Sequence, residues 1–107
     1  MATADQFTEI AMSLKGTVAA PHMGRTAFKV RRIYATLTAN GVTANLKLMP
    51  DEQELKCLTH PSGFAPVSGG WGKQGWTTAT LAELNTDELR TALETAWAHG
   101  SAKKAPK

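Results

Sequence analysis

The sequence predicts a two-layer α+β domain, in which helices cover one face of an antiparallel sheet. Segments of helical and strand periodicity follow in the order helix, three strands, helix, two strands, helix, which is not a βαβ alternation. Most connections between them are short, as in antiparallel sheets. The chain has 107 residues, 42% hydrophobic and 20% charged, which suits one globular domain, placed here at residues 1–100.

The first helix is predicted over residues 5–15. Apolar residues from Phe7 to Leu14 recur there at helical spacing, and Gly16 follows as a stop signal. Alternating apolar and polar residues then predict three strands, at residues 26–30, 33–38 and 43–48. Such alternation is typical of strands with one buried face.

A hairpin between the second and third strands is predicted at Asn40-Gly41, because both residue types tolerate the positive φ of a type I′ turn. A two-residue turn there pairs Leu37 with Ala44, so that apolar residues of the two strands meet. A slip of one residue would put apolar residues opposite polar ones, and the register is therefore well specified.

A second helix begins at Pro50 and extends to residue 58, with acidic residues in its first turn, where the helix dipole favours them. Two further strands are predicted at residues 64–67 and 76–81. The segment between them, residues 68–75, is rich in glycine and is interpreted as a hairpin loop.

The chain closes with a long amphipathic helix. Asn85 or Thr86 caps its start, Glu88 completes a capping box with Asn85, and Gly100 ends it. Residues 101–107 form a basic tail that is predicted to be disordered.

Positive charge is distributed unevenly along the chain. The net charge of +3 equals the contribution of Lys103, Lys104 and Lys107 in the tail. Residues 16–50 contain five arginines and lysines and no aspartate or glutamate. This segment is either an ordinary solvated surface or a binding patch for an anionic partner.

The cysteine count and the N-terminal residues bear on cellular location. Cys57 is the single cysteine, so no internal disulfide can form. The first residues lack the cationic start and apolar run of a secretory signal, and no segment is apolar enough to span a bilayer. We therefore expect a cytoplasmic protein that does not bind membranes.

Motifs of enzyme chemistry are weak. Residues 70–75 match the letters G-x-G-x-x-G, but strand-like sequence follows where a dinucleotide site needs a helix. Cys57 and His60 are spaced like half of a metal site, yet zinc needs three or four ligands. A buried free cysteine is the commoner interpretation. We expect a protein without enzymatic activity, cofactor or metal.

One constellation suggests binding. Lys29, Tyr34 and Lys47 are predicted to form a row on the polar side of the first three strands, beside the turn Arg31-Arg32. Cations around an exposed ring suit a phosphate backbone with a base stacked on the ring. An ordinary solvated sheet face has the same pattern, and both interpretations stay open.

Three segments, residues 21–28, 46–48 and 69–78, resemble the MmcQ/YjbR family of small bacterial proteins. The most specific of them reads G-G-W-G-x-x-G-W-T, and the resemblance extends over about residues 7–97. It implies an α+β fold similar to secretion-chaperone-like and frataxin-like proteins. It also implies DNA binding through a double-wing motif, in which two β-hairpins project from the sheet.

Carried onto this chain, the wings resemble the hairpin around Arg31-Arg32 or the one around Asn40-Gly41, together with the loop 69–75. Relatives often have a glycine in the turn that Arg31-Arg32 occupies here, so the wing changes shape and gains charge. Function inferred from such a fold resemblance is an analogy.

The leading hypothesis is weak DNA binding of low sequence specificity, dominated by phosphate contacts. Six cations would contact phosphates and two aromatic rings would stack on bases: Arg25, Lys29, Arg31, Arg32, Lys47 and Lys73, with Tyr34 and Trp71. The rival hypothesis is a protein-interaction module, similar to secretion chaperones and either monomeric or homodimeric, that holds a partner on the sheet or its edge. A small-molecule pocket under the Trp71 loop is a third interpretation.

Overall fold

A computed structural model describes residues 1–102, which form four helices and six strands around one core. The helices are α1 (Ala4–Ser13), α2 (Pro50–Thr59), α3 (Gly70–Lys73) and α4 (Thr86–Ser101). The strands are β1 (Val18–His22), β2 (Arg25–Lys29), β3 (Ile33–Thr38), β4 (Thr43–Lys47), β5 (Phe64–Pro66) and β6 (Trp76–Thr80). A 3₁₀ turn, Leu81–Glu83, precedes α4.

The C-terminal end of the described chain differs slightly from the prediction. Helix α4 continues to Ser101, one residue past the predicted end of the domain. The remainder of the predicted disordered tail, residues 103–107, lies outside the described residues. Within residues 1–102, no helix combines the length and the apolar character needed to cross a membrane.

The strands form one sheet in the order β1-β2-β3-β4-β6-β5, and all neighbouring strands are antiparallel. Helix α4 packs against β3, β4 and α1 on one face of this sheet. The rings of Phe7 in α1 and Phe28 in β2 meet edge to face, with centroids 5.4 Å apart, inside the core. The predicted two-layer α+β class is confirmed.

Strand β1 is absent from the sequence prediction. All five of its residues are exposed, so it shows no alternation of buried and open positions. It pairs with β2 through a two-residue turn at Met23 and Gly24, where φ is +51° and +79°. The sequence of β1 therefore gave no periodic signal for this hairpin.

The register predicted for β3 and β4 is confirmed, with Leu37 opposite Ala44. The type I′ turn is wrong, however, because Gly41 has positive φ and Asn40 does not. The Thr38 hydroxyl holds the strands together at this point, since its oxygen accepts from the Thr43 N–H at 3.3 Å and it donates to the Thr43 carbonyl at 2.9 Å. A side chain therefore fixes the register that the turn was expected to fix.

The capping box predicted at the start of α4 is confirmed. The Asn85 side chain accepts from the Glu88 N–H at 2.7 Å, and the Glu88 carboxylate accepts from the Asn85 N–H at 2.9 Å. Both interactions satisfy backbone donors that the first turn of a helix leaves free.

Helix α2 lies beside α4 and runs antiparallel to it, and a histidine–glutamate pair joins them at each end. His60 Nδ1 donates to Glu88 Oε2 at 2.9 Å, and His99 Nε2 donates to Glu52 Oε1 at 2.8 Å. Helices α1, α2 and α4 consequently share one side of the sheet. We call the opposite side of the sheet the open face.

Candidate nucleic-acid interface

Small side chains cover the middle of the open face. Strand pairing aligns one residue from each strand in a row across the whole sheet: Ala20, Ala27, Thr36, Asn45, Thr78 and Ala65. The Thr78 hydroxyl donates to the Asn45 side chain at 2.9 Å, so the polar members of the row bond to each other. The result is a shallow floor with no large side chain at its centre.

Segments that carry basic and aromatic residues meet at one end of the sheet. The end of β2, the turn after it, the end of β4, the start of β6 and α3 all meet there. We call this region the basic end and define it by its cations and two tryptophans: Lys29, Arg31, Arg32, Lys47, Lys73, Trp71 and Trp76.

Arg25 lies at the opposite end of the open face. It pairs with His22 in β1 and with Thr38 in β3, next to the β3–β4 hairpin. One nitrogen of its guanidinium, Nη1, is buried without a hydrogen-bond partner among the described residues. The predicted phosphate-binding set is therefore divided between two ends of the sheet.

Arg32 has structural partners at the C-terminus of α4. Its Nη1 donates to the His99 carbonyl and its Nη2 to the Ala102 carbonyl, both at 2.9 Å. These are carbonyls that a helix end leaves without intrahelical partners, and a cation is favoured there by the helix dipole. Arg32 thus caps a helix with the atoms that were predicted to contact phosphate.

Lys47 is also engaged. Its ammonium donates to the Gln74 carbonyl, and to the Leu48 carbonyl at 3.2 Å. Burial lowers the pKa of this ammonium, and the nearby Glu52 carboxylate partly offsets the shift. The contact with Gln74 joins β4 to the segment that carries Trp71.

The remaining cations of the basic end, Lys29, Arg31 and Lys73, are exposed. Arg31 makes a long contact, 3.5 Å, from its Nε to the Ser101 carbonyl. Within residues 1–102, no lysine or arginine lies within 4.0 Å of a carboxylate, because both ion pairs found there involve histidines. These three side chains are consequently available to an external anion.

Tyr34 is not exposed, and its predicted place in a row with the two lysines is wrong. Between β2 and β3 the pairing shifts from Phe28 opposite Ala35 to Lys29 opposite Ile33, which leaves Tyr34 as the extra residue of a β-bulge. Its ring is fully buried, and its hydroxyl lies 2.9 Å from the Thr17 hydroxyl. Its ring therefore does not reach the surface where a base would stack.

Trp71 takes the exposed aromatic position instead. It is 63% exposed and lies on α3, in the segment that was predicted to be a loop. Its ring meets that of Trp76 at 6.3 Å between centroids and at an interplanar angle of 76°. Trp76 is the Cα partner of Lys47, so the two tryptophans lie next to this lysine.

Trp76 is absent from the site residues predicted above, although the sequence contains a signal for it. In the predicted strand, Trp76, Thr78 and Thr80 share one face while Thr77 and Ala79 share the other. The structure buries Thr77 and Ala79 completely and leaves the Trp76 face partly exposed.

Close backbone contacts require glycine at two positions in and just after α3. A Cβ on Gly72 would overlap the Val67 carbonyl, and one on Gly75 would overlap the Leu48 carbonyl. The Gln53 amide from α2 donates to the Gly72 carbonyl at 3.0 Å, which fixes the segment from below. Only glycine, which has no Cβ, allows the backbone to come this close to the two carbonyls. The connection between β5 and β6 therefore packs directly against Val67 and Leu48.

A second concave feature lies between α2 and α4. This open cleft of 280 Å³ is lined by Lys56, Thr59, His60, Phe64, Asp87, Glu88 and Thr91. The Lys56 ammonium lies 5.3 Å from the centre of the Phe64 ring.

No group of three potential metal ligands occurs within residues 1–102. Burial raises the pKa of the Cys57 thiol, which disfavours the reactive thiolate.

The YjbR family model matches residues 12–99. The chain belongs to the YjbR family. The resemblance seen in the sequence is thereby confirmed. This YjbR protein is similar in fold to the crystal structure of Deinococcus radiodurans protein DR2400, which has the family-model domain DUF419. The TM-score is 0.82 at 24% identity, covering 100% of this chain and 84% of that one. No curated protein matches the chain in sequence.

Proposed function

We propose that this YjbR protein binds DNA weakly and without catalysis, through phosphate contacts at the basic end of the open face. The observation that supports this most directly is electrostatic. Lys29, Arg31 and Lys73 are exposed and have no carboxylate within ion-pair distance among residues 1–102. Cations that stay unneutralised near one another attract a polyanion.

The positions of the two candidate wings support the same proposal. The turn that contains Arg31 and the segment that contains Trp71 and Lys73 project from the same end of the sheet. The Asn40-Gly41 hairpin projects from the opposite end. We therefore assign the double-wing arrangement to the β2–β3 turn and the β5–β6 connection.

The expected affinity is low. Arg32 and Lys47 already donate to backbone carbonyls, which leaves three exposed cations at the basic end. Three phosphate contacts on duplex DNA correspond to a slope of about −2.7 in log affinity against log salt concentration. Sequence preference should be slight, because no helix is presented to a major groove.

A salt titration tests the proposal. Fluorescence anisotropy of a labelled duplex is measured at several salt concentrations for the natural chain and for the double variant Lys29→Ala with Arg31→Ala. We expect the variant to bind more weakly and to have a slope shallower by about 1.8, since each lost contact removes about 0.9.

A matched control removes the same charge elsewhere. Lys56→Ala with Arg90→Ala also removes two cations, but from α2 and α4 in the helical layer. We expect this variant to keep the natural slope. Absence of DNA binding at low salt, or equal losses in the two double variants, would overturn the proposal.

A further inference from the structure

We propose that the basic end prefers single-stranded nucleic acid to duplex, with one base stacked on the Trp71 ring. This inference rests on the proposed function and specifies its ligand. It is carried by the way the chain presents Trp71, by the second ring at Trp76 and by the shallow floor beside them.

The segment around Trp71 exposes its largest side chain, although the adjacent Gly72 is buried. Trp71 is 63% exposed, whereas Gly72 beside it is buried against the Val67 carbonyl. A connection built for stability alone would bury the ring, because burial of an aromatic side chain is strongly favourable. The exposed ring therefore indicates a surface that is meant to be covered by something else.

The Trp71 segment is also held in place by polar contacts from two other elements. The Gln53 amide of α2 donates to the Gly72 carbonyl at 3.0 Å, and the Lys47 ammonium of β4 donates to the Gln74 carbonyl. A ring that is already fixed loses little conformational entropy when a ligand stacks on it. The contact with Trp76 limits the ring further.

The ligand that fits is a base with a free face. Aromatic side chains stack on bases that are splayed out of a strand, whereas in a duplex the faces of the bases are covered by their neighbours. Trp76 and Lys29 are three strands apart in the sheet, which corresponds to about 14 Å. A short single strand can cover this distance along the basic end. Its phosphates would lie near Lys29 and Arg31, and one base would stack on Trp71.

The test compares three labelled ligands of equal length: oligothymidylate, oligouridylate and a duplex. Anisotropy is measured at one low salt concentration for the natural chain, Trp71→Ala and Trp71→Phe. We expect tighter binding of a single strand than of the duplex. Trp71→Ala should weaken single-strand binding about 5- to 150-fold, the range for loss of one stacked base. Duplex binding should change less than about 2-fold, and Trp71→Phe should retain most of the affinity.

Leu58→Ala is the matched control, because Leu58 is 74% exposed on α2 and lies away from the basic end. It should leave all three affinities unchanged. Circular dichroism and urea denaturation of each variant show whether it folds. Trp71→Phe keeps an aromatic ring at the site even if the alanine variant is destabilised.

The outcomes separate this inference from the proposed function. If the duplex binds as tightly as either single strand, or if Trp71→Ala and Leu58→Ala behave alike, the single-strand inference is wrong while phosphate binding stands. If no ligand binds at low salt, the proposed function fails first. Preference for oligothymidylate, for oligouridylate or for both over the duplex supports the inference and shows whether the sugar matters.

Discussion

Tyr34 shows how one extra residue in a strand changes the role of a side chain. The β-bulge between β2 and β3 directs its ring to the helical layer, where the hydroxyl donates to the Ala11 carbonyl at 3.3 Å and contacts Thr17 at 2.9 Å. Burial raises the pKa of the Tyr34 phenol, and the Thr17 hydrogen bond offsets part of the shift. The residue therefore joins α1, the following connection and β3.

Tyr34→Phe tests this structural role. The substitution keeps the ring but leaves the buried Thr17 hydroxyl and the Ala11 carbonyl without this partner. We expect the free energy of unfolding, measured with urea, to fall by about 1–3 kcal/mol. Affinity for any oligonucleotide should stay the same. A variant of natural stability that binds more weakly would place Tyr34 back at the interface.

At the level of elements, α2 depends on polar contacts more than on apolar burial. Gln53 is its one buried residue, while Leu55 and Leu58 are exposed. Its attachment to α4 uses Glu52 with His99 at one end and His60 with Glu88 at the other. Polar contacts at both ends orient a helix that has little apolar surface to bury.

The substitution Glu88→Gln tests this attachment through the pH dependence of the free energy of unfolding. The Asn85 N–H, above all, holds the pKa of the Glu88 carboxyl below its usual value, and His60 and Lys56 act in the same direction. A carboxyl with a lowered pKa in the folded state stabilises the fold above its unfolded pKa, and this stabilisation is lost as the pH falls through the folded pKa. The variant should therefore be less stable than the natural chain near neutral pH, and the difference should shrink below about pH 4.

Urea midpoints between about pH 7 and about pH 3 give the comparison. Glu94→Gln, on the exposed side of α4, is the control and should leave the pH profile unchanged. A stability difference between Glu88→Gln and the natural chain that is constant over the whole pH range would contradict the linkage.

At the scale of the whole molecule, charge is separated between the two layers. The sheet side includes residues 16–50, which carry five cations and no acid, whereas α2 and α4 carry most of the carboxylates. Both edges of the sheet contain a proline, Pro21 in β1 and Pro66 in β5. Proline lacks the N–H that edge-to-edge pairing needs, so the edges are poor sites for partner strands.

Pro21→Thr tests the role of the edge. Threonine restores an N–H donor and favours strands, so the variant should self-associate as its concentration rises, whereas the natural chain should stay monomeric. Sedimentation velocity over a range of concentrations measures this. Pro61→Thr, outside the strands, is the control. A stable dimer of the natural chain would favour the rival proposal of a protein-interaction module.

The sequence by itself determined the α+β class, the capped start of α4 and the register of β3 with β4, because each depends on neighbours in the chain or on simple periodicity. It also placed five cations in one acid-free segment, residues 16–50. The aromatic site is different. The alternation of side chains along a strand is enough to place Trp76 on the open face. The burial of Tyr34, in contrast, depends on a β-bulge. A bulge follows from how two strands fit together, which the sequence of one strand does not show.

Only the tertiary structure decided which cations are available. Arg32 and Lys47 donate to carbonyls at the end of α4 and beside α3, at positions far from them in sequence. Gly72 and Gly75 approach the carbonyls of Val67 and Leu48, which leaves no room for a Cβ at either position. The periodicity of apolar residues shows which side chains are buried away from water. The hydrogen-bond partners of charged groups are different, because they form only when distant segments pack together. The same is true of close backbone contacts.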